Sequence, residues 1–382
     1  MKKLFFIAAI AGAALVSCTK NELAPSATKQ YELTFASPVT QVVTKADLAP
    51  ATYPEGTPFA VYADHHFKNY ATESDFTSYM RGTDSKGVVV SNTKETFTLD
   101  GKTFNNYWRP LTKYYWPMEG YLTFAAYSPN TASTFVTGYS IENGVTMAYT
   151  TPAVAEQFDL MLSDKAVDQV RTSMVENVTD QGVATEYDGV HIAFKHVLSA
   201  VSFAVKTNQN YTNDGYTITL NSLTLKNAFS EGHLTQFADG ETQTTVNLTK
   251  VWSNVKTENT TGYAVCSSDV NLSTTAKTWA DAADADLVMI PQDLDHGEGK
   301  SKVVAEIIYT VYHEDMGEDS ITYTKSLPLA TTAVGSWAPS TRYLYTIIIG
   351  MEEIVFAPTV TDWTNTDPIE IPENTIIPTP GE

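Results

Sequence analysis

Apolar and polar residues alternate along much of the chain, as they do in strands with one buried face. The alternation is clear in residues 31–35, 215–220 and 222–225. Residues 303–312 and 343–349 are rich in β-branched and aromatic side chains, which favour strands. Turn residues recur between such runs, while helical periodicity over a dozen residues is scarce; residues 274–287 fit either a short helix or a loop. The pattern predicts an all-β protein of packed antiparallel sheets.

The chain is long enough for two such domains. It has 382 residues, and a domain takes roughly 100–200. A polar stretch at 171–190 is followed by a new strand-like run at 197–205, so we expect tandem β-sandwiches at 31–190 and 191–363. Residues 364–382 form a separate acidic tail in which prolines alternate with isoleucines: Pro368, Ile369, Ile371, Pro372, Ile376, Ile377, Pro378 and Pro380. The prolines disfavour a central strand there.

The first residues predict export. Lys2 and Lys3 precede an apolar run at 4–16 that is too short to cross a bilayer, and small residues then lead to Cys18. Residues 15–18, Leu-Val-Ser-Cys, resemble a bacterial lipobox, which implies that 1–17 is a lipoprotein signal peptide and that Cys18 carries the lipid. Residues 18–30 would then be a tether to the outer membrane. The alternative is an ordinary signal peptide with a chance cysteine.

Charge and cysteine content narrow the possible partners. The chain has 44 acidic and 24 basic residues, a net charge of −20, and loss of two lysines with the signal would make it −22. Nucleic acid is therefore an unfavourable partner, because its phosphates require Lys and Arg. Cleavage before Cys18 would leave Cys266 as the only free thiol, so no disulfide is expected; we interpret Cys266 as a small buried hydrophobe.

The sequence offers no catalytic or metal-binding set. It lacks G-x-S-x-G, H-E-x-x-H, a phosphate-binding glycine loop and paired C-x-x-C. His65 and His66 are adjacent, so on a strand they would point to opposite faces; we interpret them as exposed loop histidines. We expect a structural protein without enzyme activity, metal or other cofactor.

An aromatic cluster leaves one alternative open. It consists of Tyr107, Trp108, Tyr114, Tyr115 and Trp116. Such side chains usually fill a sandwich core, but exposed ones stack on sugar rings. The alternative function is therefore an outer-membrane lipoprotein that binds glycans for a polysaccharide-uptake system.

Several segments together resemble one family. Residues 115–129, Tyr-Trp-Pro-Met-Glu-Gly-Tyr-Leu-Thr-Phe-Ala-Ala-Tyr-Ser-Pro, resemble the fimbrillin signature, and 194–203 resemble the strand that opens the family's second half. Residues 287–292, 337–343 and 360–363 resemble later landmarks, with Ser340 where glycine is usual. In this order, the segments are similar to the fimbrillin-like, Mfa-like subunits of type V pili of Bacteroidales.

The resemblance implies two transthyretin-like β-sandwiches and a subunit of a surface fimbrium that supports adhesion. Such subunits reach the outer membrane as lipoproteins, and a protease then cuts after a basic residue near the mature start. The matching position is Lys45–Ala46; the family often has arginine there, so either the protease is not arginine-specific or this subunit is an uncut anchor. The implied partners are that protease, other pilus subunits in a homo- or heteropolymer, and a host or bacterial surface ligand. Anchor, shaft and tip roles stay open.

The chain's own residues supply a physical mechanism for exchange. Tyr31, Leu33 and Phe35 share one face of the first strand, and burying them is worth on the order of 5–9 kcal/mol. A cut at Lys45 would free residues 31–45 and open an apolar groove, which another subunit's extended segment could fill by strand addition. The candidate donor is the tail, through Ile369, Ile371, Ile376 and Ile377. The alternatives are a first strand that never leaves, a disordered tail and an exposed, uncut Lys45.

Overall fold

The computed structural model describes residues 32–36, 38–40, 51–54, 56–93, 97–99, 102–104, 107–170, 189–240, 242–278, 286–316, 320–350, 354–362 and 369–370. These ranges contain strands and short 3₁₀ helices, and no α-helix. The all-β prediction is confirmed. The 3₁₀ helices are Tyr70–Thr72, Thr83–Ser85, Asn130–Phe135, Val154–Glu156, Tyr211–Asp214 and Glu314–Met316.

The strands of the first half alternate with turns, as the sequence pattern predicts. They are β1 (Val39–Thr40), β2 (Ala51–Thr52), β3 (Phe59–His66), β4 (Thr77–Met80), β5 (Val88–Thr93), β6 (Phe97–Leu99), β7 (Lys102–Phe104), β8 (Tyr107–Pro110), β9 (Tyr121–Ser128), β10 (Val136–Ser140), β11 (Gly144–Thr150), β12 (Met161–Ser163), β13 (Ala166–Gln169) and β14 (Ala193–His196).

The strands of the second half include the longest of those described. They are β15 (Ser199–Thr207), β16 (Tyr216–Lys226), β17 (Phe229–Thr235), β18 (Trp252–Glu258), β19 (Tyr263–Cys266), β20 (Val270–Asn271), β21 (Lys277–Thr278), β22 (Leu287–Met289), β23 (Gln292–Asp293), β24 (Val304–His313), β25 (Ile321–Pro328), β26 (Ser336–Trp337), β27 (Thr341–Ile349), β28 (Ile354–Asp362) and β29 (Ile369–Glu370).

Four sheets and two ribbons organise these strands. The first sheet has the order β2-β1-β14-β12-β9-β3-β5-β8, with β13 beside β9 and β4 beside β3; the second is β10-β11-β17-β18. The third is β21-β15-β27-β28-β29, with β22 beside β15, and the fourth is β19-β16-β24-β25, with β20 beside β16. The ribbons are β6–β7 and β23–β26.

Most strand pairs are antiparallel, as predicted, but two pairs differ. β15 lies parallel to β27 from Ser199↔Thr341 to Thr207↔Ile349, and β1 lies parallel to β14. Parallel neighbours need a long crossover connection, and alternation within one strand does not encode the direction of its partner. The expectation of antiparallel sheets therefore holds for most strand pairs and fails for these two.

Buried apolar residues form three clusters between these layers. β3 shows the arrangement: Phe59 and Val61 point into the first core and Ala60 and Tyr62 into the second, because both faces of this strand are covered. The second of these cores lies between the first and second sheets, and the third and fourth sheets enclose a further core built around residues such as Phe203.

The second sheet joins strands from either side of residue 190. β11 pairs with β17 from Thr146↔Thr235 to Thr150↔Glu231. Gln236, fully buried, accepts from Val145 N (3.0 Å) and donates to the carbonyl oxygens of Ala126 (3.2 Å) and Ser163 (2.7 Å). The domain boundary near residue 190 stays a prediction. If the chain divides there, the second sheet contains strands from both parts.

Two buried charged side chains near the first sheet, Asp64 and Lys165, have polar partners. Asp64 on β3 is almost fully buried; the guanidinium of Arg81 donates to its carboxylate, and Tyr139 Oη donates to its Oδ2 at 2.9 Å. Lys165 Nζ donates to Tyr70 Oη at 2.5 Å, and burial lowers the pKa of Lys165 to about 8. These contacts provide partners for charges that would be costly to bury alone.

Candidate functional site

The first described residues fill a gap in the first sheet. We define residues 32–36 and 38–40 as the leading segment. On one side, Leu33 N donates to Tyr114 O and Phe35 N donates to Trp108 O, both at 2.8 Å. The bridges Glu32↔Tyr115 and Phe35↔Trp108 are antiparallel. The leading segment therefore runs opposite to residues 108–115.

The other side of the leading segment has partners as well. Ala36 N donates to Val190 O, Val190 N donates to Thr34 O, and Val39 N donates to Ile192 O, each at 3.1 Å. These contacts are parallel, and they continue as the β1–β14 pairing. We define the leading-segment groove by its walls, residues 108–115 and 190–194. β2 pairs with β1 on the side opposite β14.

The side chains of the leading segment belong to the first core. Leu33 and Phe35 are both 0% exposed. The Phe35 ring meets the rings of Phe59 and Phe124 edge to face, with centroids 5.7 Å apart in each pair. Burying these two side chains is worth on the order of 3–6 kcal/mol. The segment is thus part of the core and not only an attachment to the sheet.

A glycine allows the close approach of the two main chains. A Cβ placed on Gly189 would lie 2.5 Å from the carbonyl carbon of Phe35 and 2.8 Å from Ala36 N. Real Cβ atoms do not come that close, so the groove takes its occupant's backbone only because residue 189 has no side chain. The groove consequently constrains the backbone at the positions of Phe35 and Ala36.

Aromatic residues outside the leading segment complete the groove's lining. Tyr53, which follows β2, stacks on Phe194 at 5.3 Å and meets Trp108 edge to face at 5.4 Å. Its hydroxyl lies 2.5 Å from Ser128 Oγ, and burial raises its pKa above the ordinary value. All four residues follow Lys45 in the chain, so a cut there would leave this lining attached to the protein.

A surface ion pair marks the start of the segment. Lys113 Nζ lies 2.9 Å from Glu32 Oε2, and this hydrogen bond raises the pKa of Lys113. Lys113 is more than half exposed, so the pair adds little to stability. Retention of the segment depends mainly on its buried side chains and main-chain bonds.

The predicted site residues are described only in part. Leu33 and Phe35 point inward, as their period of two suggests. Tyr31, Cys18, Lys45 and Ala46 lie outside the described residues. Their roles in the first strand, lipidation and processing stay predictions.

The tail is described at two residues. Ile369 and Glu370 form β29, which pairs with β28 through Val360↔Ile369 and Thr359↔Glu370. This places the start of the tail at an edge of the third sheet, whereas the leading segment lies in the first sheet. Ile371, Ile376 and Ile377 lie outside the described residues, and donation by the tail stays a prediction.

Sequence reasoning missed the second wall of the groove. Val190, Ile192 and Phe194 are fully or almost fully buried and alternate with exposed or half-buried residues. Their period of two was a usable strand signal, although the sequence interpretation treated Gly189 only as part of a polar boundary. The local sequence pattern did not indicate which strand would lie beside these residues.

The two tryptophans of the aromatic cluster lie inside the protein. Trp108 and Trp116 are buried in the first core, and Tyr115 is 36% exposed. The two tryptophans are therefore not available as a flat platform for sugars. The two tryptophans of the cluster that motivated the glycan-binding alternative are therefore core residues.

The histidine pair and Cys266, the other candidates for chemical roles, have structural positions. His65 and His66 both lie on β3, the first half-buried and the second fully buried, so the interpretation as exposed loop histidines was wrong; Thr123 Oγ1 is 2.9 Å from His66 Nε2. Cys266 is buried, as expected. Within the described ranges, no group of three or more His, Cys, Asp or Glu side chains could hold a metal ion. No helix in those ranges has the length and apolar character of a membrane span.

Comparison with known proteins identifies the family. A family model described as fimbrillin-like matches residues 51–363, and no curated protein matches the sequence. The crystal structure of a fimbrial protein from Bacteroides vulgatus is similar over 88% of this chain and 100% of that one, with 16% identity and a TM-score of 0.51.

Two further structures have lower similarity. A candidate cell adhesion protein from Bacteroides uniformis aligns over 87% of this chain and 98% of its own, with 14% identity and a TM-score of 0.41. One from Bacteroides ovatus aligns over 89% and 99%, with 15% identity and a TM-score of 0.41. The family match covers most of the sequence, and the chain belongs to the fimbrillin-like family.

Proposed function

We propose that this member of the fimbrillin-like family is a structural, non-enzymatic subunit of a surface pilus that assembles by strand exchange and supports adhesion. The observation that carries the proposal is the leading segment. It has main-chain partners on both sides, and it buries Leu33 and Phe35 in the first core. A segment in this position leaves an apolar groove with two unpaired walls when it departs, and a strand of another subunit can repair that loss.

The position of Lys45 suits a processing site. β1 ends at Thr40 and its neighbour β2 begins at Ala51, so Lys45 and Ala46 belong to the connection between two described strands. A cut there severs the leading segment from the chain without breaking either strand. Export as a lipoprotein through Cys18 would hold the protein at the outer membrane until this cut is made.

The tail is the proposed donor to a neighbouring subunit. β29 pairs with β28 at a sheet edge, and Ile369 and Ile371 have the period of two that strand addition requires. Releasing an edge strand breaks one ladder of main-chain bonds and exposes one neighbour. Ile376 and Ile377 would extend the contact beyond Pro372.

The test is whether the leading segment is removed from the protein on the bacterial surface. The chain is expressed in a cell that assembles such pili, as wild type, as Lys45→Ala and as the control Lys277→Ala, which changes an exposed lysine elsewhere. Wild type and control should begin at Ala46 in surface filaments and give size ladders in mild detergent. Lys45→Ala should keep residues 31–45, stay lipid-anchored and give no ladder. Filaments of wild-type protein that retain residues 31–45 would refute the proposal.

A further inference from the structure

The leading-segment groove uses main-chain N–H groups at fixed positions of its occupant. The leading segment donates from Leu33, Phe35, Ala36 and Val39, which are positions 0, +2, +3 and +6 of the occupying strand. Its own proline, Pro38, falls at +5, between two of these donors. Since proline has no N–H, an occupant with proline at 0, +2, +3 or +6 leaves an acceptor on the wall without its partner.

The side chains of the occupant are constrained too. Positions 0 and +2 hold Leu33 and Phe35, which are fully buried, so they require apolar residues. Position +1 holds Thr34, which is 3% exposed, so a charged side chain there would lose its hydration. The groove therefore selects an apolar, uncharged, apolar triplet followed by a residue with an N–H.

The chain's own tail does not meet these requirements. In residues 364–382, only Ile369 and Ile371 are apolar residues spaced two apart, which fixes one register for a strand running in the direction of the leading segment. That register places Glu370 at the buried position of Thr34. It also places Pro372 at the position of Ala36.

In this register, Pro372 would lie opposite a specific buried hydrogen-bond acceptor. Ala36 N donates to the carbonyl oxygen of Val190 at 3.1 Å, and Val190 is fully buried. With Pro372 in this register, the ring Cδ would replace the hydrogen that points at this oxygen. An unpaired buried acceptor weakens binding, and the buried carboxylate of Glu370 weakens it further.

We propose, on the basis of the proposed strand exchange, that the groove is filled by an extended segment of a different protein chain and not by the tail of a second copy. The occupant carries apolar residues at positions 0 and +2, an uncharged residue at +1, and no proline at 0, +2, +3 or +6. The subunit therefore joins a heteropolymer: its groove and its tail contact different proteins, and copies of this chain do not form a homopolymeric shaft.

The experiment measures which strand enters the groove of the folded chain. A recognition site for a sequence-specific protease is inserted between Lys45 and Ala46 of the mature chain, which is cut after folding so that the leading segment stays bound without a covalent link. Labelled peptides are then added in excess. They are residues 31–40, residues 366–377, the tail peptide with P372A, the tail peptide with E370T and P372A, and the tail peptide with P368A as a matched control. Pro368 falls at position −1, whose N–H makes none of the described groove contacts.

Native mass spectrometry reports the bound fraction and the competition between peptides. We expect the peptide of residues 31–40 to exchange, P372A to bind at least tenfold more tightly than the unchanged tail, and the double substitution to bind more tightly still. P368A should bind like the unchanged tail. Equal binding of the unchanged and P372A tails would overturn this inference alone. Failure of residues 31–40 to exchange would refute strand exchange itself, and the inference with it.

Discussion

Truncation of Phe35 tests whether the leading segment is part of the core. Phe35→Ala removes a fully buried ring that meets Phe59 and Phe124 edge to face. A buried Phe→Ala change costs about 3–5 kcal/mol through lost apolar burial and the cavity that remains. Phe67→Ala is the matched control, because it removes the same atoms from a side chain that is 67% exposed, and it should cost less than about 1 kcal/mol.

The free energy of unfolding of each uncut variant is measured in urea, with tryptophan emission as the signal. In chains cut after Lys45, the same loss should appear as faster release of the segment. A loss of about 3 kcal/mol corresponds to roughly a hundredfold weaker retention, at about 1.4 kcal/mol for each factor of ten. If Phe35→Ala costs no more than Phe67→Ala in both measurements, the segment does not stabilise the core and the reasoning fails.

Three further predictions test the surroundings of the groove. Gly189→Ala should lower the free energy of unfolding by about 1–3 kcal/mol because its Cβ would meet the main chain of Phe35, whereas Gly335→Ala, whose Cβ meets nothing within 4 Å, should be nearly neutral; equal urea midpoints would contradict this. Arg81→Met should cost about 3–5 kcal/mol by leaving the Asp64 carboxylate without its ion pair, and Arg81→Met with Asp64→Asn should recover part of the loss in urea titrations; no recovery would show that charge is not the cause. Lys165 has a folded pKa of about 8 against an ordinary 10.5, so the unfolded chain binds more protons between these values; the free energy of unfolding should rise with pH across that window, and an unchanged slope in Lys165→Met would refute the assignment.

The sequence pattern predicts strands well where one face is buried. In β16 the buried residues are Ile218 and Leu220 and then Leu223 and Leu225, so the alternation changes phase at Asn221. The pairing with β24 has a register shift at the same point, which is a bulge that keeps both apolar pairs on one face. The sequence interpretation divided this strand into two runs because a phase change resembles an end.

Strand neighbours were not predictable in the same way. The β11–β17 ladder joins residues almost 90 positions apart, as in Thr146↔Thr235, and crosses the expected boundary. Such pairing depends on the order of strands across the whole fold, which the local pattern does not contain. The groove was likewise only partly predictable. Alternation identified Leu33 and Phe35 as inward-facing, but only the three-dimensional fold places Val190 beside them.

The order of contacts along the leading segment determines how it can leave. A cut at Lys45 frees the end at β1, where Val39 is half-buried, while Phe35 lies deeper in the core. An incoming strand that begins at β1 would replace the Val39–Ile192 bond first and meet the Phe35 position later. Displacement in this order makes loss of Phe35 burial the larger barrier, because two aromatic contacts break there. In the cut chain, Val39→Ala should therefore accelerate peptide-driven release less than Phe35→Ala does, and equal acceleration would show that loss of Phe35 burial is not the larger barrier.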